Sequence, residues 1–230
     1  MQRGIWEKMQ VDPAVVFFSI ISNARGLYLN PFSSIVLQNQ FSHQNLQFRN
    51  LRSLMNRTSS EPLSDVGPIL HLGTLRHLIC HKPQTLDKDI LWEILTHISI
   101  QHLSISGADW CNLIWRLEAL QVGEFTASVN ILATDTTMEY RYPSKSLLHL
   151  RELRLLLYFW DNNTDFNPLP NLVFPSLTVL HYSGPNTGDY FLRKLFLAST
   201  HLQTLHLSST RLDDETDPEN ISEFAISWRT

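Results

Sequence analysis

The chain has 230 residues, of which 43% are hydrophobic and 17% charged, and this composition is too apolar for a disordered chain. The net charge of −4 at pH 7 lacks the basic excess that contacts with phosphate backbones need, so we expect no nucleic-acid partner. Two cysteines, Cys80 and Cys111, are too few for a secreted disulfide framework, and they are predicted to be reduced thiols of an intracellular protein, cytoplasmic or nuclear.

The first apolar segment is AVVFFSII, from Ala14 to Ile21, which is too short to span a bilayer. Basic residues before it imitate a signal peptide, but Asp12 and Pro13 lie at its edge and it contains no leucine. We therefore predict a buried element rather than a cleaved signal, and no membrane association. Three Asn-x-Ser/Thr sequons, which begin at Asn56, Asn162 and Asn220, favour the secretory pathway instead, although this pattern often arises by chance.

A short pattern, L-x-x-L-x-L, recurs seven times with apolar residues at its first, fourth and sixth positions, apart from Asn56 in the first copy. Its fourth position is occupied by Leu54, Leu78, Leu103, Leu120, Leu153, Leu180 and Leu205. The steps between them are 24, 25, 17, 33, 27 and 25 residues, which is typical of leucine-rich repeats with one strand and one returning segment per unit. The sequence therefore predicts an α/β fold, an irregular leucine-rich-repeat solenoid with a curved parallel sheet of about seven or more repeats.

The returning segments between the copies differ in character. LDKDILWEILTHI is predicted to be a helix because one stripe of it carries Ile90, Leu91, Ile94, Leu95 and Ile98. TGDYFLRKLFLAST is predicted to be a second helix on the same pattern, with Phe191, Leu192, Leu195 and Phe196. Other returns are predicted to be loops, because they contain the run DNNTDFN or the prolines Pro143, Pro168, Pro170 and Pro175.

One face of the predicted sheet is a candidate binding surface. Since strand side chains alternate between faces, the third, fifth and seventh positions face solvent when the fourth and sixth face the core. Histidines occupy equivalent places in neighbouring copies, at 77 and 102 and again at 181 and 206. We predict that this face is a groove for a protein partner, with a plain solvated face as the alternative. The predicted contact residues are His77, Ile79, His102, Ser104, Gln121, Glu152, Arg154, His181 and His206.

Catalytic and metal-binding motifs are missing from the sequence. It contains no Gly-rich phosphate loop, no Cys-x-x-Cys and no His-Glu-x-x-His, so we predict no catalytic residue and no cofactor. The cluster of His77, Cys80 and His81 is not expected to bind metal, because its members would lie on opposite faces of one strand. His181 and His206 supply only two ligands of a tetrahedral site, so no metal is predicted there either. A hydrolase or transferase on an irregular α/β core is the alternative, since the members of a catalytic triad need not be close in sequence.

The phrases FPSLTVL and LHLSSTRLDDE, with the irregular repeat length, resemble the leucine-rich arrays of fungal F-box proteins over about Phe48 to Asp214. That resemblance implies an N-terminal F-box bound to a Skp-type adaptor of a cullin-based ubiquitin ligase, and an array that holds the substrate to be ubiquitylated. No Leu-Pro-x-Glu phrase precedes Phe48, while ARGLYLNPFSSIVLQ resembles the segment that joins an F-box to its array.

Three regions are therefore expected. Residues 1–47 are a capping or linker segment or an F-box remnant, residues 48–214 are the array, and residues 215–230 are a C-terminal tail or cap. The expected function is protein recognition, as a ligase substrate receptor or a related scaffold, and not catalysis.

Overall fold

The computed structural model describes residues 25–29, 50–56, 73–81, 83, 90–131, 142–159, 166–169, 171–184, 199–209 and 223–227. In chain order its strands are β1 (Gly26–Leu29), β2 (Ser53–Asn56), β3 (His77–His81), β4 (His97–Ser106), β5 (Val122–Asn130), β6 (Lys145–Ser146), β7 (Glu152–Phe159), β8 (Leu172–Val173), β9 (Val179–Gly184), β10 (Thr204–Ser209) and β11 (Glu223–Ser227). A 3-10 helix spans Trp92–Ile94, and an α-helix, α1, spans Gly107–Arg116.

Nine of these strands form one open sheet in the order β1-β2-β3-β4-β5-β7-β9-β10-β11, and β6 and β8 form a small second sheet. Neighbours from β1 to β10 pair in parallel, and β11 pairs antiparallel with β10. The strands therefore follow one another across the sheet in chain order. The predicted α/β class with a parallel sheet is confirmed.

Both ends of this sheet lie outside the predicted array boundaries of 48 and 214. At one end β1 pairs with β2 in the same register as the repeats, Leu27 opposite Leu54. At the other end β11 places Ile226 opposite Leu205. Because β11 runs antiparallel, it covers the edge of β10 and ends the parallel series.

The register of the sheet is carried by one row of buried positions. Cα partners across the sheet link Leu54, Leu78, Ile98, Gly123, Leu153, Leu180 and Leu205 in an unbroken series. A second row, at the first position of the pattern, contains Leu51, Leu75, Leu95, Leu120, Leu150, Leu177 and Leu202. All of this second row are buried except Leu202, which packs partly buried against the core.

Two of the seven predicted copies are in the wrong register. Ile98, not Leu103, lies opposite Leu78, and Gly123, not Leu120, lies opposite Leu153. The segment from Leu95 to Ile105 contains two overlapping matches to the pattern, and the structure uses the first. Leu103 is still buried, opposite Ala127 in the second half of β4. The corrected steps run from 20 to 30 residues, which removes the abrupt 17-and-33 pair.

Gly123 fills the fourth position of its repeat because its neighbours already occupy the space of a side chain. A Cβ on Gly123 would lie 3.0 Å from atoms of Leu120 and Phe125 and 3.2 Å from Leu153. Because glycine stands where the pattern has leucine, this copy cannot be recognised in the sequence.

Main-chain hydrogen bonds confirm the corrected register at the start of each strand. The carbonyl of Arg76 accepts from the N–H groups of Thr96 and His97, at 2.8 and 3.1 Å. The same two-fold acceptance recurs at Arg25, Arg52, Thr96, Gln121, Arg151 and Thr178. Each of these carbonyls accepts hydrogen bonds from the next repeat. Adjacent repeats are therefore joined just before their strands begin.

The predicted helix over LDKDILWEILTHI is wrong in the part that the structure describes. Only Trp92–Ile94 form a helical turn, of the 3-10 type, and strand β4 begins at His97. Leu91, predicted on the apolar stripe, is 41% exposed, whereas Trp92 is buried. Leu95 and Ile98 belong instead to the two buried rows that fix the register, so the chain extends into the sheet here rather than continuing as a helix. The second predicted helix, around Phe191 to Phe196, lies outside the described residues.

Helix α1 was not expected, although the sequence marks its start. The Ser106 hydroxyl accepts a hydrogen bond from the Asp109 amide at 3.1 Å and donates to the Asp109 carboxylate at 2.7 Å, so the Ser106 side chain caps the helix N-terminus. The helix buries Trp110, and the indole donates to the Pro168 carbonyl at 2.9 Å and meets Phe125 edge-on at 5.6 Å between ring centroids. Helix α1 therefore covers the buried face of the sheet at β4 and β5.

We expect Leu153→Ala to lower the free energy of unfolding by about 2–5 kcal/mol, because this leucine of the buried row is only 2% exposed. Since each repeat contacts its neighbours, hydrogen exchange should show lost protection in β5 and β9 before more distant strands. Leu148→Ala is the control, since that leucine is 58% exposed. Unchanged protection in both neighbouring strands would contradict the stacking of repeats.

We also expect Gly123→Leu, which restores the sequence pattern, to destabilise the protein by about 1–3 kcal/mol through overpacking. Urea unfolding monitored by circular dichroism measures this. A more stable variant would show that the space around Gly123 is not filled as described.

Candidate functional site

One face of the sheet is apolar and buried, and the other is polar. The burial of side chains alternates along β3, β5, β7 and β9, so the predicted alternation of core and solvent positions is confirmed. We define the polar face by its side chains on β3 to β10: His77, Ile79, His81, His97, Ser99, Gln101, Val122, Glu124, Thr126, Ser128, Glu152, Arg154, Leu156, Tyr158, Val179, His181, Ser183, Thr204, His206 and Ser208.

Six of the nine predicted contact residues lie on the polar face: His77, Ile79, Glu152, Arg154, His181 and His206. Ser104 follows a bulge in β4 and lies opposite Ser128, so it continues this face at the far end of the strand. His102 sits in the bulge itself. Gln121 is off the face, because it directly precedes Val122 of the polar face at the start of β5 and neighbouring positions alternate.

The histidines pair differently from the sequence prediction on one side of the sheet. His77 lies opposite His97, not His102, with ring centroids 4.5 Å apart at 63°. His102 instead meets the ring of His81 at 5.2 Å. Sequence reasoning missed His97, although the correct choice of Leu95 as the start of the repeat would have placed it at the third position. We call His77, His81, His97 and His102 the histidine quartet.

The predicted pairing of His181 and His206 is confirmed. They are Cα partners on β9 and β10, and their rings stack at 5.4 Å between centroids with planes 25° apart. Burial lowers the pKa of His181 below its usual range, and the charges of Arg154 and His206 lower it further, while Glu152 opposes them. The pKa of His97 is also lowered, first by burial and then by the charge of His77. Simultaneous charging within these two pairs is therefore disfavoured.

His102 has a positive φ of 56°, in the left-handed region that only glycine enters without cost. The register between β4 and β5 shifts there, so that Gln101 and His102 stand against the single residue Thr126. A β-bulge of this kind redirects a side chain. Here it holds the His102 ring out of the core and beside His81.

A shallow depression of about 220 Å³ crosses the polar face between β5 and β10. Its polar-face lining is Glu124, Thr126, Arg154, Leu156, His181, Ser183, His206 and Ser208. The Arg154 Nε donates to Glu152 at 2.7 Å, and the Ser99 hydroxyl donates to Glu124 at 3.3 Å. The depression is smaller than ordinary small-molecule pockets and opens on a continuous sheet face, which suits contact with a protein surface.

The cysteine of the HLICHK segment lies on the core side of β3. Burial raises the pKa of the Cys80 thiol to about 12, so the group stays protonated and is a poor nucleophile or metal ligand. Within the described ranges, no three or more His, Cys, Asp or Glu side chains converge as a metal site would require.

The histidine pairs should make the stability of the protein depend on pH. The pKa values of His97 and His181 are lowered in the folded state, whereas an unfolded histidine has a pKa of about 6.5. The unfolded state therefore binds more protons as the pH falls, and the free energy of unfolding should decrease from pH 7.5 to pH 5.5.

Urea unfolding at both pH values tests this, and H97Q/H181Q should lose less stability on acidification than the wild type. His149→Gln, at an exposed site off the polar face, is the control. Equal stability of the wild-type protein at the two pH values would contradict the effect of burial on these histidines.

Among the residues described, no helix is both long and apolar enough to cross a membrane. Comparison with known proteins adds no relative: no protein-family description, no curated protein and no solved structure matches this chain.

Proposed function

We propose that the chain is a curved leucine-rich-repeat solenoid that binds a protein partner through its polar face. The observation that carries this proposal is the in-register series of parallel strands from β1 to β10, which repeats one strand per leucine pattern. Stacked repeats of this kind present one continuous sheet face, and solenoids use such faces to bind partners.

The two layers of the structure support the choice of face. Helix α1 contacts β4, β5 and the 3-10 helix. Its Trp110 packs against Phe125, which lies on the buried face of the sheet. This returning segment thus packs on the apolar face, and no described helix lies over the polar face. That face combines apolar contact area at Ile79 and Leu156 with hydrogen-bonding groups, as protein interfaces do.

The partner we propose is a substrate of a cullin-based ubiquitin ligase, or a protein held by a related scaffold. This part of the proposal rests on the resemblance of residues 48–214 to fungal F-box arrays, and ligase recruitment would also require a Skp-type adaptor. The protein would then act by recognition rather than by catalysis. An intracellular location fits the same proposal, because Cys80 and Cys111 are buried and form no disulfide.

Affinity capture from a fungal lysate tests this function with matched variants. Leu156→Arg places a charge in the depression of the polar face, and Leu148→Arg places the same charge at an exposed site outside it. We expect a protein that the wild type and Leu148→Arg retain and Leu156→Arg loses, with circular dichroism showing that all three are folded.

Co-recovery of an adaptor and a cullin would support the ligase receptor, whereas a partner without them would support the scaffold alone. If Leu156→Arg retains every protein that Leu148→Arg retains, the polar face is not the binding surface.

A further inference from the structure

We propose that the histidine quartet is a proton-gated docking site for an acidic, extended segment of the partner protein. This inference rests on the proposed function, since it takes the polar face as the binding surface. It adds the chemistry of the partner and the condition under which the partner binds.

The first support is the concentration of titratable nitrogen on one face. Five of the ten histidines of the chain lie there, and His102 stands beside them in the bulge of β4. Together they form three ring pairs, and four of the six belong to the neighbouring strands β3 and β4. Histidine is the side chain whose charge changes most readily near physiological pH, so acid conditions place positive charge on this one area.

Few other charges compete there. On β2, Ser53 and Met55 lie opposite His77 and Ile79 and carry no charge. On β5, Val122 lies opposite His97, and Glu124, opposite Ser99, accepts a hydrogen bond from its hydroxyl. Arg76, just before β3, directs its Nη1 to the carbonyls of Gly73 and Leu75. Among the described neighbours, protonation of the quartet therefore turns a nearly neutral area into a cationic one.

The spacing of the two pairs fits an extended ligand. His77 and His81 are four residues apart on β3, which corresponds to about 13 Å along a strand. Side chains four residues apart on an extended segment lie on one side at the same separation. Two carboxylates so placed would each approach the two rings of one pair from the solvent side, where a negative charge favours protonated imidazoles.

The second support is the strain at His102. Glycine would occupy a φ of 56° at less cost, yet the sequence places histidine there, and the bulge brings its ring to 5.2 Å from His81. Residues held in such backbone conformations cluster at functional sites. The strained residue is the one that completes the quartet.

The test uses the full chain and a blocked eight-residue peptide of alternating Glu and Ser, with Gln in place of Glu as the control peptide. Calorimetric titration at low salt gives Kd at pH 5.5 and 7.5, where the Glu side chains stay ionised. We expect the Glu peptide to bind at least about tenfold more tightly at pH 5.5, the size of a single charge-assisted contact, and the Gln peptide not to bind.

Variants locate the effect. H77Q/H81Q/H97Q/H102Q should lose the pH dependence, and H81Q/H102Q should reduce it. H181Q/H206Q, which removes a matched pair from the same face, should keep it in full. His102→Gly should also weaken binding at pH 5.5, while its Tm stays at or above the wild-type value because the strain is relieved. These variants change exposed or half-buried rings, so the Tm values also verify folding.

Equal affinity at the two pH values, binding of the Gln peptide, or an equal loss in H181Q/H206Q would each overturn the docking site. Failure here is distinct from failure of the proposed function. If Leu156→Arg still abolishes partner capture while the Glu peptide does not bind, the polar face remains the binding surface and the acidic partner is excluded.

Discussion

Every other feature of the sheet depends on the packing of two rows of apolar side chains on its buried face. Leu75, Leu95, Leu150 and their equivalents begin the repeats, and Leu78, Ile98 and Leu153 follow three residues later. A slip of one residue would move such a row into solvent, so burial fixes the register of each strand against the next. The carbonyl of the residue before each strand then joins neighbouring repeats at a constant position. The same constraint arranges the polar face, because the register that pairs the buried residues also decides which polar-face residues lie opposite one another.

The same constraint explains what the sequence could predict. In the repeats around Leu153, Leu180 and Leu205 the pattern is unambiguous, and the predicted neighbours His181 and His206 are correct. In β4 the pattern matches twice, and in β5 its fourth position is Gly123, whose absent side chain is replaced by contacts with Leu120, Phe125 and Leu153. Packing between repeats decides both cases, and that information is not local. The start of α1 was readable, since Ser106 and Asp109 form a capping pair, whereas the bulge at His102 depends on the register of its neighbours.

Protonation of the histidines on the polar face has two opposed effects, one on stability and one on the proposed binding. In the free protein, burial and proximity lower the pKa of His97 and of His181, so acidification costs stability. An anionic partner across a histidine pair would favour the charged rings, so binding and protonation would strengthen each other. Under the proposed docking site, such a face would hold its partner according to pH as well as to shape, and the strained backbone at His102 would contribute to binding rather than to stability.

Disulfide trapping of cysteine pairs tests the register of the sheet most directly. His77 and His97 are Cα partners, and neighbouring strands lie about 4.8 Å apart, within the range that a disulfide bridges. His102 lies five residues further along β4, about 16 Å from that position. With native Cys80 and Cys111 buried, mild oxidation should form an intramolecular disulfide in H77C/H97C and none in H77C/H102C. A disulfide in H77C/H102C and none in H77C/H97C would contradict the register on which this account rests.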